Sequence, residues 1–261
     1  MDLKRPNHFS AAEIGKVIAH DQVIGAKLLN VVNSSFYGFR QRIGTVTRAM
    51  TMIGFRGLKD LVLAMSVLPA FGKKVSHKSL DDRSLWAHAV GCAACARTTA
   101  TLLHFQDSEE AFTAGLLHDI GKLAEYQFLQ EELIQVMEEA HATNEPLFMV
   151  ERRRLGFTHA DVGQLLAAKW QFPAKLAEAI AHHHSPSGAA HFPRETALVH
   201  FADIVARAKV LGDTYDRRIP PLDPGAWDVL GLKKSQIEQV MQATDEEFEK
   251  GKAFLSIIME A

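Results

Sequence analysis

The chain has 261 residues, 47% hydrophobic and 23% charged, enough to bury a substantial core as one large domain or two lobes sharing an interface. Its net charge of −2 carries no electrostatic signature of nucleic-acid or anionic-membrane binding, so neither is expected as a partner. No apolar run approaches the roughly 20 residues needed to cross a bilayer. The opening Met-Asp-Leu-Lys-Arg runs into polar sequence, and two cysteines are too few for a disulfide framework, so a cytoplasmic location is expected.

Amphipathic helical spacing dominates, and no series of alternating strands stands out, which predicts an all-α fold. Ser10 and Glu13 form a capping-box pattern opening a helix to about His20. Asp21 caps a second helix with Ile24, Leu28, Leu29 and Val32 on one stripe. After an aromatic, Gly-containing connection at 36–42, Thr45 opens a helix that Gly54 stops, and Arg56–Leu68 forms another. The polar stretch Lys73–Ser84 is the expected lobe boundary. Helices are then predicted at Leu85–Leu103, Ser108–Gln127, Glu131–Thr143, Thr158–Trp170, Pro173–His184 and Glu195–Val210. A Pro/Gly/Asp-rich loop follows from Leu211 to Gly225. Ser235 and Glu238 repeat the capping-box pattern ahead of a last helix toward Met259. The implied division is an N-terminal helical lobe, 1–80, a helical bundle, 81–210, and a C-terminal helical extension, 211–261.

Of the 13 histidines, several fall on apolar faces. The segment GLLHDIGK, 115–122, sets His118 and Asp119 side by side in an apolar helix end, which is costly unless they are paired or bind a metal. His88 shares a helical face with Leu85, Cys92, Ala96 and Leu103. Asp203 interrupts the apolar ALVHFADIVA and needs a cation or several donors. His183 and His184 lie on the stripe of Leu176 and Ile180, whereas His182 sides with Glu178 toward solvent. His159 follows the helix-capping Thr158. Singly, each histidine reads more readily as a hydrogen-bonded core or surface residue than as a ligand. As a set, one or two metal ions would satisfy all of them, and mixed imidazole and carboxylate donors suit Fe, Mn, Zn or Ni.

His88, His118-Asp119 and Asp203 resemble the H…HD…D pattern of the HD superfamily of metal-dependent phosphohydrolases, which implies one divalent metal on these four residues. THADVG (158–163), AIAHHHSP (179–186) and HFADIVARA (200–208) are similar to stretches of the HD-GYP branch. That resemblance implies a second ion on His159, His183 and His184, with Asp119 between the two. It also matches Lys122 to a lysine associated with substrate phosphate; the alternative is a solvated lysine in the last turn of a helix. Residues 28–64 look like the signature of HDOD domains, the HD-related output domains of bacterial signalling. Asp21-Gln22 stands where that family has Asp-Pro. Ser84 replaces a carboxylate, Ser185-Pro186 follow the paired histidines where a glutamate is expected, and no Gly-Tyr-Pro loop is present.

The resemblance therefore implies an HDOD-type signalling module that retains one or two divalent transition metal ions. Its expected partner is a signalling protein or an adjoining regulatory domain, with a nucleotide or phosphoester as a further ligand. The alternative is a metal-dependent phosphohydrolase, in which Asp119 and Lys122 would be catalytic. Cys92 and Cys95 read as packing residues, since a free Cys behaves as a small hydrophobe. Arg40, Arg42, Arg48, Arg56 and Lys59 read as a solvated basic face or a docking surface. Arg152–Arg154 reads as a solvated turn.

Overall fold

The computed structural model describes residues 22–67, 82–212 and 218–259. The helix expected from Ser10 to His20, and the boundary stretch up to Asp81, lie outside the described residues. Within them are twelve α-helices and no strand, so the all-α expectation holds.

Helices α1 (Gln22–Val32) and α2 (Val46–Val67) lead the described chain. The loop between them is pinned by Asn33. Its side-chain amide donates to the Ile43 carbonyl at 2.8 Å and accepts from the Ile43 N–H at 2.7 Å. Inside α2, Gly54 sits at φ 77° and ψ 164°, a conformation open to glycine, so the expected stop at Gly54 appears as a sharp kink.

Helix α3 (Asp82–Leu102) is the central rod, packing against α4 (Ser108–Leu117), α10 (Pro193–Ala208) and α12 (Ile237–Met259). Its small residues explain why. Cys92, Ala93, Ala96 and Ala100 are all fully buried, and a Cβ on Gly115 of α4 would stand 2.8 Å from the Ala93 backbone. On α12, Glu247 pairs with Arg97, and the hydroxyls of Thr98 and Thr244 lie 3.4 Å apart.

A single helix was expected over Ser108–Gln127, but the chain breaks at His118-Asp119 into α4 and α5 (Ile120–Phe128). Asp119 adopts φ −96° and ψ 17°, outside helical values. The turn redirects the chain just where two adjacent polar side chains must both point inward, which a continuous helix cannot provide. α6 (Gln130–Thr143) follows.

The expected turn at Arg152–Arg154 is instead helical, in α7 (Leu147–Leu155). Pro146 precedes its first residue and Gly156 ends it at φ 82°. Its arginines are exposed as foreseen, with Arg153 bonded to Glu139 at 2.6 Å and Glu145 at 2.7 Å. Three adjacent charges mask the inward Leu147, Val150 and Glu151.

α8 (His159–Lys169) carries the expected Thr158 cap, closed reciprocally by Asp161, an arrangement that contributes about 1 kcal/mol. α9 (Ala174–His182) ends immediately before the paired histidines. Between α10 and α12, Asp223 caps α11 (Pro224–Leu230). The second capping box expected at Ser235 and Glu238 is not formed. The Gln236 side chain instead accepts from the Lys233 N–H at 2.9 Å, and a 3₁₀ turn leads into α12. Arg40, Arg42, Arg48, Arg56 and Lys59 are exposed.

Candidate metal centre

Five separate parts of the chain deliver imidazoles and carboxylates to one interior point. α3 brings His88, and the α4–α5 junction brings His118 and Asp119. The start of α8 brings His159, the end of α9 brings His183 and His184, and α10 brings Asp203. The seven side chains fall into two groups. His88, His118 and Asp203 are joined by the Cys92 thiol, and their donor atoms all lie within 4.8 Å of one another. Asp119, His159, His183 and His184 form the second group on the same criterion. All seven expected side chains are thus brought together, with Asp119, expected in the first set and shared with the second, grouping with the second and Cys92 standing in the first.

Asp119 stands between the groups. Its Oδ2 faces His118 Nε2 at 3.3 Å and His88 Nε2 at 4.0 Å. Its Oδ1 faces His159 Nε2 at 3.2 Å and His183 Nε2 at 3.5 Å. Asp203 Oδ1 lies 3.0 Å from His88 Nε2 and 3.7 Å from His118 Nε2.

The tautomers can be assigned from partners that only accept. His118 Nδ1 lies 2.7 Å from the Gly115 carbonyl, and His183 Nδ1 lies 2.8 Å from the Ile180 carbonyl. His159 Nδ1 lies 2.7 Å from the Glu151 carboxylate, which also accepts the His159 backbone N–H at 2.9 Å. Each Nδ1 therefore carries a proton, and in the neutral ring each Nε2 presents a lone pair. These lone pairs converge on carboxylate oxygens, and on each other between His159 and His184, whose Nε2 atoms are 2.8 Å apart. Acceptors facing acceptors in a dry interior require protons or a cation. Among the described residues no hydrogen-bond donor reaches Asp119 Oδ1, and His183 Nε2 has no hydrogen-bond partner.

Protonation answers part of this demand. Burial opposes charging His118, but Asp119 and Cys92 outweigh it and hold its pKa well above the usual value. Burial likewise opposes charging His159, and the Glu151 carboxylate raises it to about 9. His183 differs: burial drives it down to about 4. Burial and the neighbouring rings hold His184 well below its ordinary value. Those two rings stay neutral at pH 7, so a cation is the fitting partner for their lone pairs. The donor set fits divalent metal ions: His88, His118 and Asp203 would hold one and Asp119, His159, His183 and His184 the other.

Two internal cations had been overlooked or left open. Arg207, one turn beyond Asp203 on α10, places Nε 2.7 Å from Asp203 Oδ1. Burial would raise the Asp203 carboxyl, but Arg207 and the hydrogen bonds from His118 and His88 hold it well below the normal range. Lys122 is 1% exposed, with Nζ 2.8 Å from Asp119 Oδ2; a solvated lysine is excluded. With His118 it keeps the Asp119 carboxyl well below its ordinary value against the effect of burial. Much of the carboxylate charge is therefore balanced within the chain, and what remains for an ion to satisfy is chiefly the imidazole lone pairs.

Cys92 was read as packing, yet its Sγ lies 3.3 Å from His88 Nε2 and 3.9 Å from His118 Nε2. Burial would raise its thiol, but the two rings lower it overall. In Cys95, which does behave as a packing residue, burial pushes the thiol up to about 12. His182 is half-buried rather than solvated.

Most of the site is closed. His88, His118, His159, His183 and Asp203 are at most 1% exposed; His184 alone among the donors is half-buried, and the Phe148 ring stacks on it with centroids 4.4 Å apart. A cavity of about 340 Å³ lies elsewhere, lined by Phe105, Glu110, Lys175 and Arg194 among others.

Comparison with known proteins agrees with this architecture. The model of the HDOD domain matches residues 1–186. An uncharacterized protein of Treponema pallidum (strain Nichols) is 26% identical over 238 residues, 89% of this chain but 44% of that protein, so the chain spans less than half of its relative. Two solved structures share the fold. A protein of Shewanella amazonensis SB2B described as a candidate phosphohydrolase has a TM-score of 0.73 at 23% identity, covering 95% of this chain and 88% of that one. A candidate signal transduction protein of Marinobacter aquaeolei VT8 has a TM-score of 0.75 at 21% identity, covering 97% of this chain and 56% of that one. No described helix is long and apolar enough to cross a membrane. With a family model covering most of its length, and helices that gather an HD-type histidine and aspartate set, the chain belongs to the HDOD domain family.

Proposed function

We propose that this domain is a bacterial signal-transduction module in which metal held by the buried His/Asp centre fixes the helix arrangement, and that arrangement governs binding to a signalling protein or adjoining regulatory domain. The observation that carries this reading is closure: most donors are at most 1% exposed. A phosphoester needs an opening of several hundred Å³ beside the reacting groups, whereas an ion that ties five chain segments together needs none. The solved relative from Marinobacter aquaeolei, described as a candidate signal transduction protein, is in keeping with this role.

The phosphohydrolase alternative draws support from Asp119, whose two oxygens face both groups of imidazoles, and from Lys122 beside it. A bound divalent ion would there supply Lewis acidity toward a phosphoester. This chain's contribution would be Asp119 as the shared anchor and Lys122 as positive charge. Lys122, however, is already committed to Asp119 Oδ2, which leaves it poorly placed to hold phosphate.

Metal-loaded protein, screened against nucleotides, cyclic dinucleotides and a generic phosphoester beside His118→Ala and Asp119→Ala, is expected to show no turnover. Partner binding is expected to require metal. Hydrolysis that disappears in both variants would overturn the signalling reading in favour of the enzyme.

A further inference from the structure

Cys92 lies one helical turn beyond His88, fully buried, and its sulfur joins His88 Nε2, His118 Nε2 and Asp203 Oδ1 in a single group. Four separations in that group are 3.0, 3.3, 3.7 and 3.9 Å. Donors bonded to one ion at about 2.0–2.3 Å stand roughly 3–4 Å apart, so these are the edges expected of a coordination shell.

Hydrogen bonding serves the same four atoms only weakly. If His88 Nε2 carries a proton and donates it to Asp203, the thiol loses its near acceptor at 3.3 Å and is left with His118 Nε2 at 3.9 Å, a long contact for a weak donor. If Nε2 is bare and accepts from the thiol, its remaining face meets the Asp203 oxygen without a proton between them. His118 has its Nδ1 proton committed to the Gly115 carbonyl, so when an ion displaces any proton on Nε2 that nitrogen offers this group a second lone pair. One cation among the four satisfies every one of them.

We propose that Cys92 is a ligand of the first ion, making that site His88, Cys92, His118 and Asp203, a thiolate-containing set that selects Zn(II), Fe(II) or Co(II) over the harder Mn(II) and Mg(II). On binding, the thiol releases its proton to solvent and the sulfur lone pair forms the bond to the ion. The second group, with Asp119 and three imidazoles, has no sulfur, so the two sites differ in metal preference. Cys95, three residues on, faces Thr99 and takes no part. This inference rests on the metal centre proposed above.

The test is the spectrum of the full-length chain produced in cobalt-supplemented medium. A thiolate-to-cobalt charge-transfer band in the near ultraviolet is expected, lost in Cys92→Ser and kept in Cys95→Ala. Bound cobalt, measured by elemental analysis, without that band in the unaltered chain would overturn Cys92 as a ligand while leaving the metal centre standing. A band that vanishes in Cys95→Ala and survives in Cys92→Ser would overturn it equally. If the unaltered chain binds no cobalt, zinc, iron, manganese or nickel, the metal centre falls and this inference with it. Should Cys92→Ser fail to fold, the unaltered chain's spectrum still decides.

Discussion

Glu125 and Glu151 lie back to back behind His159, both essentially without solvent exposure. Glu151 is occupied with the His159 ring and backbone. No donor reaches either oxygen of Glu125. Burial, and then the charge of Glu151, push the Glu125 carboxyl up to about 8, so the folded chain keeps a proton there that the unfolded chain releases near 4.5. The folded-state pKa exceeds the unfolded one, and the sign follows: this proton favours the fold fully below about pH 4.5, and its contribution is lost as pH rises through about 8. Urea denaturation should show metal-free protein losing on the order of 3–5 kcal/mol between pH 5 and pH 9 from this group. Glu125→Gln, which mimics the protonated form, is expected to flatten that slope. An unchanged slope in the variant would show that the proton resides elsewhere.

At the scale of elements, the centre depends on how closely α5 and α8 approach. A Cβ on Gly121 would stand 1.8 Å from the His159 carbonyl oxygen, backbone against backbone. Gly163 on α8 is crowded only by the Ile180 side chain, at 2.6 Å, a β-branched side chain held to its rotamer that can yield by a small shift where a backbone carbonyl cannot. Gly121→Ala is therefore expected to cost roughly 3 kcal/mol or more, and Gly163→Ala roughly 1 kcal/mol. Thermal denaturation of the pair would expose a reversed order. Gly121→Ala should also lower metal content, since it displaces His159 from Asp119.

Legibility from sequence followed the same logic of elements. Helices with clean apolar stripes, such as α1 and α10, were readable within a few residues, and so were the seven ligands, because a polar residue within an apolar stripe is conspicuous. What escaped reading were the residues one turn away from those ligands. Cys92 follows His88 by four positions and was visible on its face, yet cysteine is ambiguous between ligand and hydrophobe. Arg207 follows Asp203 by four positions, but an arginine near a helix end is usually solvated. Glu151 was hidden at the head of three arginines, where charge density signals surface. The break at Asp119 was illegible because the apolar pattern continues through it, and only the demand to aim both neighbours inward bends the chain.

Over the whole molecule, an ion clasped by α3, the α4–α5 turn, α8, α9 and α10 would hold together segments more than a hundred residues apart. Free metal at a hundred times its dissociation constant would stabilise the folded state by about 2.7 kcal/mol. For a chain of this size the unfolding midpoint should rise by roughly 5–10 °C. Calorimetry with and without chelator measures it, and His118→Ala should remove most of the difference. A midpoint indifferent to chelator in protein shown to carry metal would mean the ion does not brace the fold.

The stacking of Phe148 on His184 gives this centre a further property. With that ring lying flat over His184, the most exposed of the imidazoles, it covers the side of the centre nearest solvent, and the departure of an ion would wait on a local opening of α7 and the end of α9. Exchange would then be governed by the protein's own breathing: adding more scavenger would leave the rate of loss unchanged, and the occupant would persist through excursions in cellular metal supply that would empty an open site of equal affinity.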